Sequence, residues 1–276
     1  MSRVPRLSKE PVAFAGAVVF VFFLLMAVVG PLLVPYEYTE LVPADRLVGP
    51  SADHFFGTDQ LGRDVFSRVV VGSRNIFFLA GSGTLLALLL GASVGLFSAY
   101  YGGFLDEIIT RLLDVLLSIP PLLLGLVLLG TVGSSKMNLV MVVALLYLPS
   151  IARVVRSMVL DLKTREFVDA ARLRGEGDLY IMFREILPSA VPPLLVEGSI
   201  RFAYSIFLVA SLGFLGLGVQ PPSPDWGLQI NEARNYFRQA PWMLLFPAGA
   251  ISTLVVSVNL MSDGLRRVLV PGQGGG

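Results

Sequence analysis

Long apolar runs separated by short polar segments set the pattern of this chain. Six of them predict helices that cross a lipid bilayer, over about residues 12–34, 76–100, 112–132, 137–155, 191–217 and 242–261. Spanning the hydrocarbon core takes about 20 mostly apolar residues in a helix. A helix suits that environment because it satisfies its backbone polar groups within its own segment. The fourth run is the shortest, contains Pro149 and ends on Arg153 and Arg156. The first is expected to be a retained anchor: it is too long for a secretory h-region, and no small-x-small site follows before Pro35 and Tyr36. The expectation is an all-α membrane protein with six transmembrane helices.

Composition agrees. Apolar residues make up 54% of the chain and charged residues 15%, against about a quarter charged in soluble domains. The net charge is near zero, and the basic residues form no run of the kind that binds nucleic acid. They sort by side of the bilayer instead. Arg3, Arg6 and Lys9 precede the first span and predict a cytoplasmic amino terminus. Alternation then places Arg111, Arg153, Arg156, Lys163, Arg165, Arg172, Arg174, Arg184, Arg266 and Arg267 on that same side, so the carboxyl terminus is expected there too. Fewer fall opposite (Arg46, Arg63, Arg68, Arg74, Lys136, Arg234 and Arg238), where Asp53, Asp59 and Asp64 are interleaved with the arginines. With no cysteine there is neither a disulfide nor a thiolate metal site. His54 reads as an ordinary loop residue.

Within the second run Ala80, Thr84, Ala87, Gly91 and Gly95 form a stripe at helical spacing, which predicts close helix packing. Pro120-Pro121 predicts a kink in the third span, and Pro192-Pro193 a first helical turn at the start of the fifth. Asp114 is expected at an interface.

Residues 166–188 form a charged, helix-forming island between apolar runs. Thr164 can cap a helix whose first turn carries Glu166, and Asp169 favours the positive end of its dipole. Gly175 can end it in a left-handed conformation, and Gly177 and Asp178 can turn the chain into a second helix that Pro188 terminates. Ala170 and Ala171 present almost no side chain, so a partner surface can approach the backbone, with Arg172 and Arg174 as polar contacts around them. The bland alternative is an amphipathic hairpin with no partner.

Asp169-Ala170-Ala171, Gly175 and Leu187-Pro188, at this spacing before the penultimate span, resemble the EAA loop of bacterial ABC-importer permeases. Three further segments resemble the second permease of the dipeptide, oligopeptide and nickel importers. They are Phe56 to Arg68, including Gly57-Thr58-Asp59; Leu215 to Pro222, with Asp225-Trp226-Gly227 and Ala240-Pro241-Trp242 after it; and Asn259 to Arg266. Two positions depart from the broad pattern. Asp169 stands for glutamate, and Glu185 for an isoleucine whose apolar role Ile186 can fill from the next position.

The resemblance implies a type I ABC-importer permease fold, with 1–75 as amino-terminal tail, first span and extracytoplasmic segment, 76–267 as permease core, and 268–276 as a flexible tail. It implies a multi-pass protein of the bacterial inner membrane, with Glu166, Asp169, Ala170, Ala171, Arg172, Arg174, Gly175, Leu187 and Pro188 coupling it to an ATPase. The implied partners are a second homologous permease, two ATP-binding subunits, an extracytoplasmic binding protein and a peptide, with nickel or another small solute as alternative cargo. No cofactor is expected in this chain. It has no phosphate-binding loop, since Gly133-Ser134-Ser135-Lys136 does not supply one, so ATP and magnesium would be bound by the partners.

Charge inside a span costs about 2.5–3.5 kcal/mol per residue at the helix centre and needs a reason. Glu197 and Arg201 lie four apart in the fifth run and can pair. Two readings stand: they line a translocation path, or they form a structural ion pair. A proton-driven secondary transporter with Glu197 as carrier would need inverted repeats and an unpartnered carboxylate. No convincing repeat is evident, and Arg201 is within reach.

Overall fold

The computed structural model describes residues 10–269. The expectations for Arg3, Arg6, Lys9 and for most of the carboxyl-terminal tail lie outside the described residues. The described chain is helical, with no named β-strand: α1 (Pro11–Val29), α2 (Val65–Tyr101), α3 (Gly103–Ser118), α4 (Pro121–Val132), α5 (Lys136–Leu162), α6 (Glu166–Leu173), α7 (Asp178–Tyr180), a π-helical turn (Ile181–Ile186), α8 (Leu187–Phe214), α9 (Trp226–Ala233) and α10 (Trp242–Leu269). Five helical stretches are long and apolar enough to cross a membrane, or six if the bent pair of α3 and α4 counts as one.

That pair corrects the third expected span. The chain turns by 91° between α3 and α4, so the two prolines make a break and not a kink. Proline pushes the residue before it out of the helical region. Here that happens twice in succession, with Ile119 at ψ 128° and Pro120 at ψ 129°. The run of apolar residues continues across the break and conceals it.

The core is built on α2 lying along α5. The predicted stripe of Ala80, Thr84, Ala87, Gly91 and Gly95 is buried there. A Cβ on Gly91 would stand 2.9 Å from the Leu148 carbonyl oxygen, and one on Gly95 2.4 Å from that of Ala152, so backbone approaches backbone. The weak fourth run becomes a helix of 27 residues that continues past its arginines. The arginines are tolerated because α3 brings carboxylates to them. Arg156 donates to both oxygens of Asp106 at 2.7 and 2.6 Å, and Arg153 pairs with Asp114.

The fifth span also differs from expectation. Pro188 terminates nothing, and Pro192 and Pro193 lie inside α8 and not in its first turn. The π-helical turn leads directly into α8, and the Leu187 N–H reaches back five residues to Met182. This shifts the hydrogen-bond register just before Pro188, which has no N–H to give. Pro188 and Ser189, whose carbonyls face Pro192 and Pro193 one turn on, are exposed.

At the end of the bundle away from α6, α2 begins at Val65, well before residue 76, so the expected division at 75/76 falls inside a continuous helix. Asp64 caps it, accepting from the Ser67 N–H at 2.7 Å. Of the arginines expected on this side, Arg63 and Arg68 are buried and paired, while Arg74 is exposed. Arg63 contacts Asp59 at 2.6 Å and Glu232 at 2.9 Å, and Arg68 contacts Glu232 at 3.0 Å. His54 is a buried bridge and not an ordinary loop residue, with Nδ1 3.0 Å from Asp64. Trp226 of α9 is fully buried and donates to the Val69 carbonyl.

Candidate functional site: the hairpin after α5

Residues 163–190 leave α5, form α6, turn at Gly175 and return through α7 and the π-helical turn into α8. Thr164 does not cap α6. Its hydroxyl donates to the Asp161 carbonyl at 2.8 Å, closing the end of α5, while Arg165 takes the cap position without a side-chain bond. Glu166 and Asp169 occupy the first turn of α6, where the free N–H groups favour negative charge.

The far end of α6 is defined more firmly. Gly175 has φ +79°, its N–H donates to the Arg172 carbonyl at 2.9 Å, and the Glu176 N–H donates to the Ala171 carbonyl at 3.2 Å. This pair of bonds is the Schellman arrangement, which satisfies carbonyls the helix leaves open. Lys163 then donates to the Ala99 carbonyl at 2.7 Å and the Tyr100 hydroxyl to Asp178 at 2.8 Å, fastening both arms of the hairpin to the end of α2.

Inward, Val168, Ala171, Met182 and Ile186 are wholly buried. This corrects the expectation for Ala171, which is buried and cannot be approached from outside; Ala170 is exposed. Neighbouring residues on a helix point about 100° apart, so a consecutive pair cannot share one narrow face. Outward lie Glu166, Asp169, Ala170, Arg172, Arg174 and Gly175. Arg172 pairs with Asp169 at 3.1 Å and Arg174 with Glu185 at 2.9 Å. The second pair gives Glu185 its place, and buried Ile186 supplies the apolar contact beside it. Leu187 is half-buried and Pro188 exposed.

One residue escaped sequence reasoning. Leu173 is 90% exposed, and Phe167, Leu179 and Phe183 are exposed around the same hairpin. The signal was present: Phe167, Ala170 and Leu173 recur every three residues beside an inward set of Val168 and Ala171. An eight-residue helix with two apolar faces has one more than its own core can cover.

Glu197 and Arg201 are not part of this site, lying about 10 and 16 Å beyond its end at residue 190 along α8 by helix rise. Arg201 Nε donates to Glu197 at 2.5 Å, and its guanidinium sits over the Tyr204 ring at 5.5 Å. The pair is satisfied internally.

A polytopic helical bundle carrying a rigid, glycine-ended hairpin with an uncovered apolar face is the class this geometry defines. The chain belongs to the family described as binding-protein-dependent transport system inner membrane component, whose model matches residues 87–274. Residues 4–50 match the N-terminal TM domain of oligopeptide transport permease C. It is similar to a dipeptide transport system permease protein, DppC, of Alkalihalophilus pseudofirmus, 39% identical over 96% of this chain and 88% of the relative. It is also similar to a glutathione transport system permease protein, GsiD, of Pectobacterium atrosepticum, 40% identical over 96% and 89%, and to DppC of Haemophilus influenzae, 37% identical over 94% and 90%. The fold is that of the type I ABC-importer permeases, and the chain is a multi-pass membrane permease subunit of such an importer.

Proposed function

We propose that this chain carries di- or oligopeptides inward across the bacterial inner membrane, forming the path with a second homologous permease. Two ATP-binding subunits and an extracytoplasmic binding protein complete the machine. The chain performs no catalysis itself, and ATP and magnesium belong to the ATP-binding partners. The peptide relatives support the cargo. Both ends of the described chain share one end of the bundle, since Arg267 pairs with Glu10 at 2.6 Å. The excess of basic residues assigned to that side supports a cytoplasmic placement for both termini and for the hairpin.

Leu173 carries the coupling assignment. A leucine 90% exposed, beside Ala170 and ringed by Glu166, Asp169, Arg172 and Arg174, is the anchor-and-rim pattern of a protein interface. The buried inner face and the bonds from Lys163 and Tyr100 make the hairpin stiff. Movement of a docked ATP-binding subunit would thus be passed to α2, α5 and α8 together. Leu173→Asp tests this, because an exposed position tolerates the change without unfolding. The variant should insert normally yet lose copurification of the ATP-binding subunits and ATP-dependent peptide uptake. Normal association and uptake in that variant would refute the coupling role.

A further inference from the structure

A cavity with a volume of about 1010 Å³ lies at the other end of the molecule. It is bounded by the segment after α1, the first part of α2, the start of α5 and the loop before α9. Helix α5 runs from this cavity to the hairpin over 27 residues, about 40 Å at the rise of an α-helix. The cavity therefore opens opposite the proposed ATPase side. Its size is at the upper end of pockets that hold small organic ligands, roughly 300–1,000 Å³.

Its lining is chemically selective. Arg74 and Lys136 both face it, and neither has a carboxylate within 4.0 Å among the described residues. Among the described residues the Lys136 ammonium donates one hydrogen bond, to the Asn75 side-chain oxygen at 3.3 Å, and Asn75 is held in turn by Ser223 at 2.8 Å. Lys136 is also the first residue of α5, so the positive end of a long helix dipole adds to the two cations. Glu37 supplies the one carboxylate of the lining, and Tyr38, Phe78 and several prolines supply apolar walls. Two unpaired cations and one anion around an apolar space match a short zwitterion with side chains.

We propose that this cavity binds the transported peptide at the outer mouth of the path, with Arg74 and Lys136 receiving its terminal carboxylate and Glu37 its ammonium group. The proposal rests on the peptide-import reading and adds to it a site in the permease itself. Arg74 and Lys136 are exposed, so replacing them leaves the bundle intact.

The test is saturation-transfer NMR on the purified complex without its binding protein, using alanyl-phenylalanine and its carboxyl-terminal amide at millimolar concentration. The wild-type complex should bind the free acid about tenfold more tightly than the amide, the order expected for charge-assisted hydrogen bonds. Arg74→Gln/Lys136→Gln should remove that preference while the ATP-binding subunits still copurify. Equal signals from acid and amide, an unchanged preference in the double variant, or no signal from the wild type would each overturn the site. A double variant that binds peptide normally but has weaker affinity for the loaded binding protein would assign the cations to a protein contact and overturn it too. Failure of the peptide-import reading would appear separately, as wild-type vesicles that accumulate no peptide.

Discussion

At one end of the bundle Asp59, Arg63, Asp64 and Arg68 are all at least nine-tenths buried. At the other, Glu166, Asp169, Arg172 and Arg174 are all exposed. Both segments alternate acid and base at short spacing, and their sequences look alike in composition. Burial makes them opposites. Taking ions out of water costs several kcal/mol each, offset only when every charge meets a partner in good geometry. Asp59 meets that demand by accepting from the Leu61 and Arg63 N–H groups and from Arg63 Nε, while Glu232 of α9 completes the ring. The hairpin's pairs stand in water, where each contributes about 0–1 kcal/mol. The first arrangement fixes one geometry; the second leaves charges free to exchange water for a protein surface.

The largest effect should come from breaking the buried ring. Asp59→Ala leaves Arg63 and Arg68 short of a partner and should lower stability by about 3–5 kcal/mol, seen as a large drop in the unfolding temperature of the detergent-solubilised complex. An unchanged temperature would mean that the ring is ornamental and the contrast between the ends is false. Asp225 gives the next effect. It is buried at the start of α9, its Oδ1 accepts from the Leu228 N–H at 3.1 Å, and its Oδ2 has no partner. Burial pushes its carboxyl up to about 6. The folded state therefore keeps this proton to higher pH than the unfolded chain does. Its stability contribution is greatest below the ordinary value of 3.8 and falls as pH rises to about 6. Above that the ionised group costs about 3 kcal/mol. Asp225→Asn keeps the acceptor and removes the titration, so it should raise stability at pH 7 by up to about that amount and flatten the profile. Parallel pH profiles for the two proteins would disprove the assignment.

Five of the six expected spans were legible because each depends on a local property, an apolar run of membrane length. The α2 stripe was legible too, since small residues at helical spacing have few other uses in lipid. The break at Pro120 was not, because Leu112 to Val132 is apolar on both sides of it and only backbone angles record the turn. The partners of Arg63 and Arg153 were also hidden. Arg63 meets Glu232 across 169 residues and Arg153 meets Asp114 across 39, separations that no local window joins. In the hairpin, Gly175 announced its left-handed turn, but nothing local said which of Ala170 and Ala171 faces in. Pro188 read as a stop because the π-helical register that admits it leaves no mark in composition.

Smaller effects probe the hairpin itself. A Cβ at Gly175 would meet nothing within 4 Å, so the cost of replacing it comes from φ alone, about 1–2 kcal/mol for a residue with a side chain. Gly175→Val should loosen the end of α6 and lower uptake per ATP hydrolysed while membrane insertion stays normal. Gly175→Asn, which tolerates that conformation better, should retain more coupling. Equal coupling in both variants would show that the left-handed turn is not what stiffens the hairpin.

The smallest effect is the one that ties both ends together. Asp169→Ala removes an exposed pair with Arg172 and one favourable charge at the start of a short helix, each contributing at most about 1 kcal/mol. The unfolding temperature should hardly move. Association with the ATP-binding subunits should weaken by a few-fold, because the same carboxylate belongs to the rim around Leu173. High salt should weaken it similarly in the wild type and less in the variant, since rim charges are screened and buried ones are not. If Asp169→Ala instead destabilised the chain as strongly as Asp59→Ala, the hairpin would be held by its charges, as the opposite end is. Its exposed face would then be a by-product of folding, with no partner to explain it.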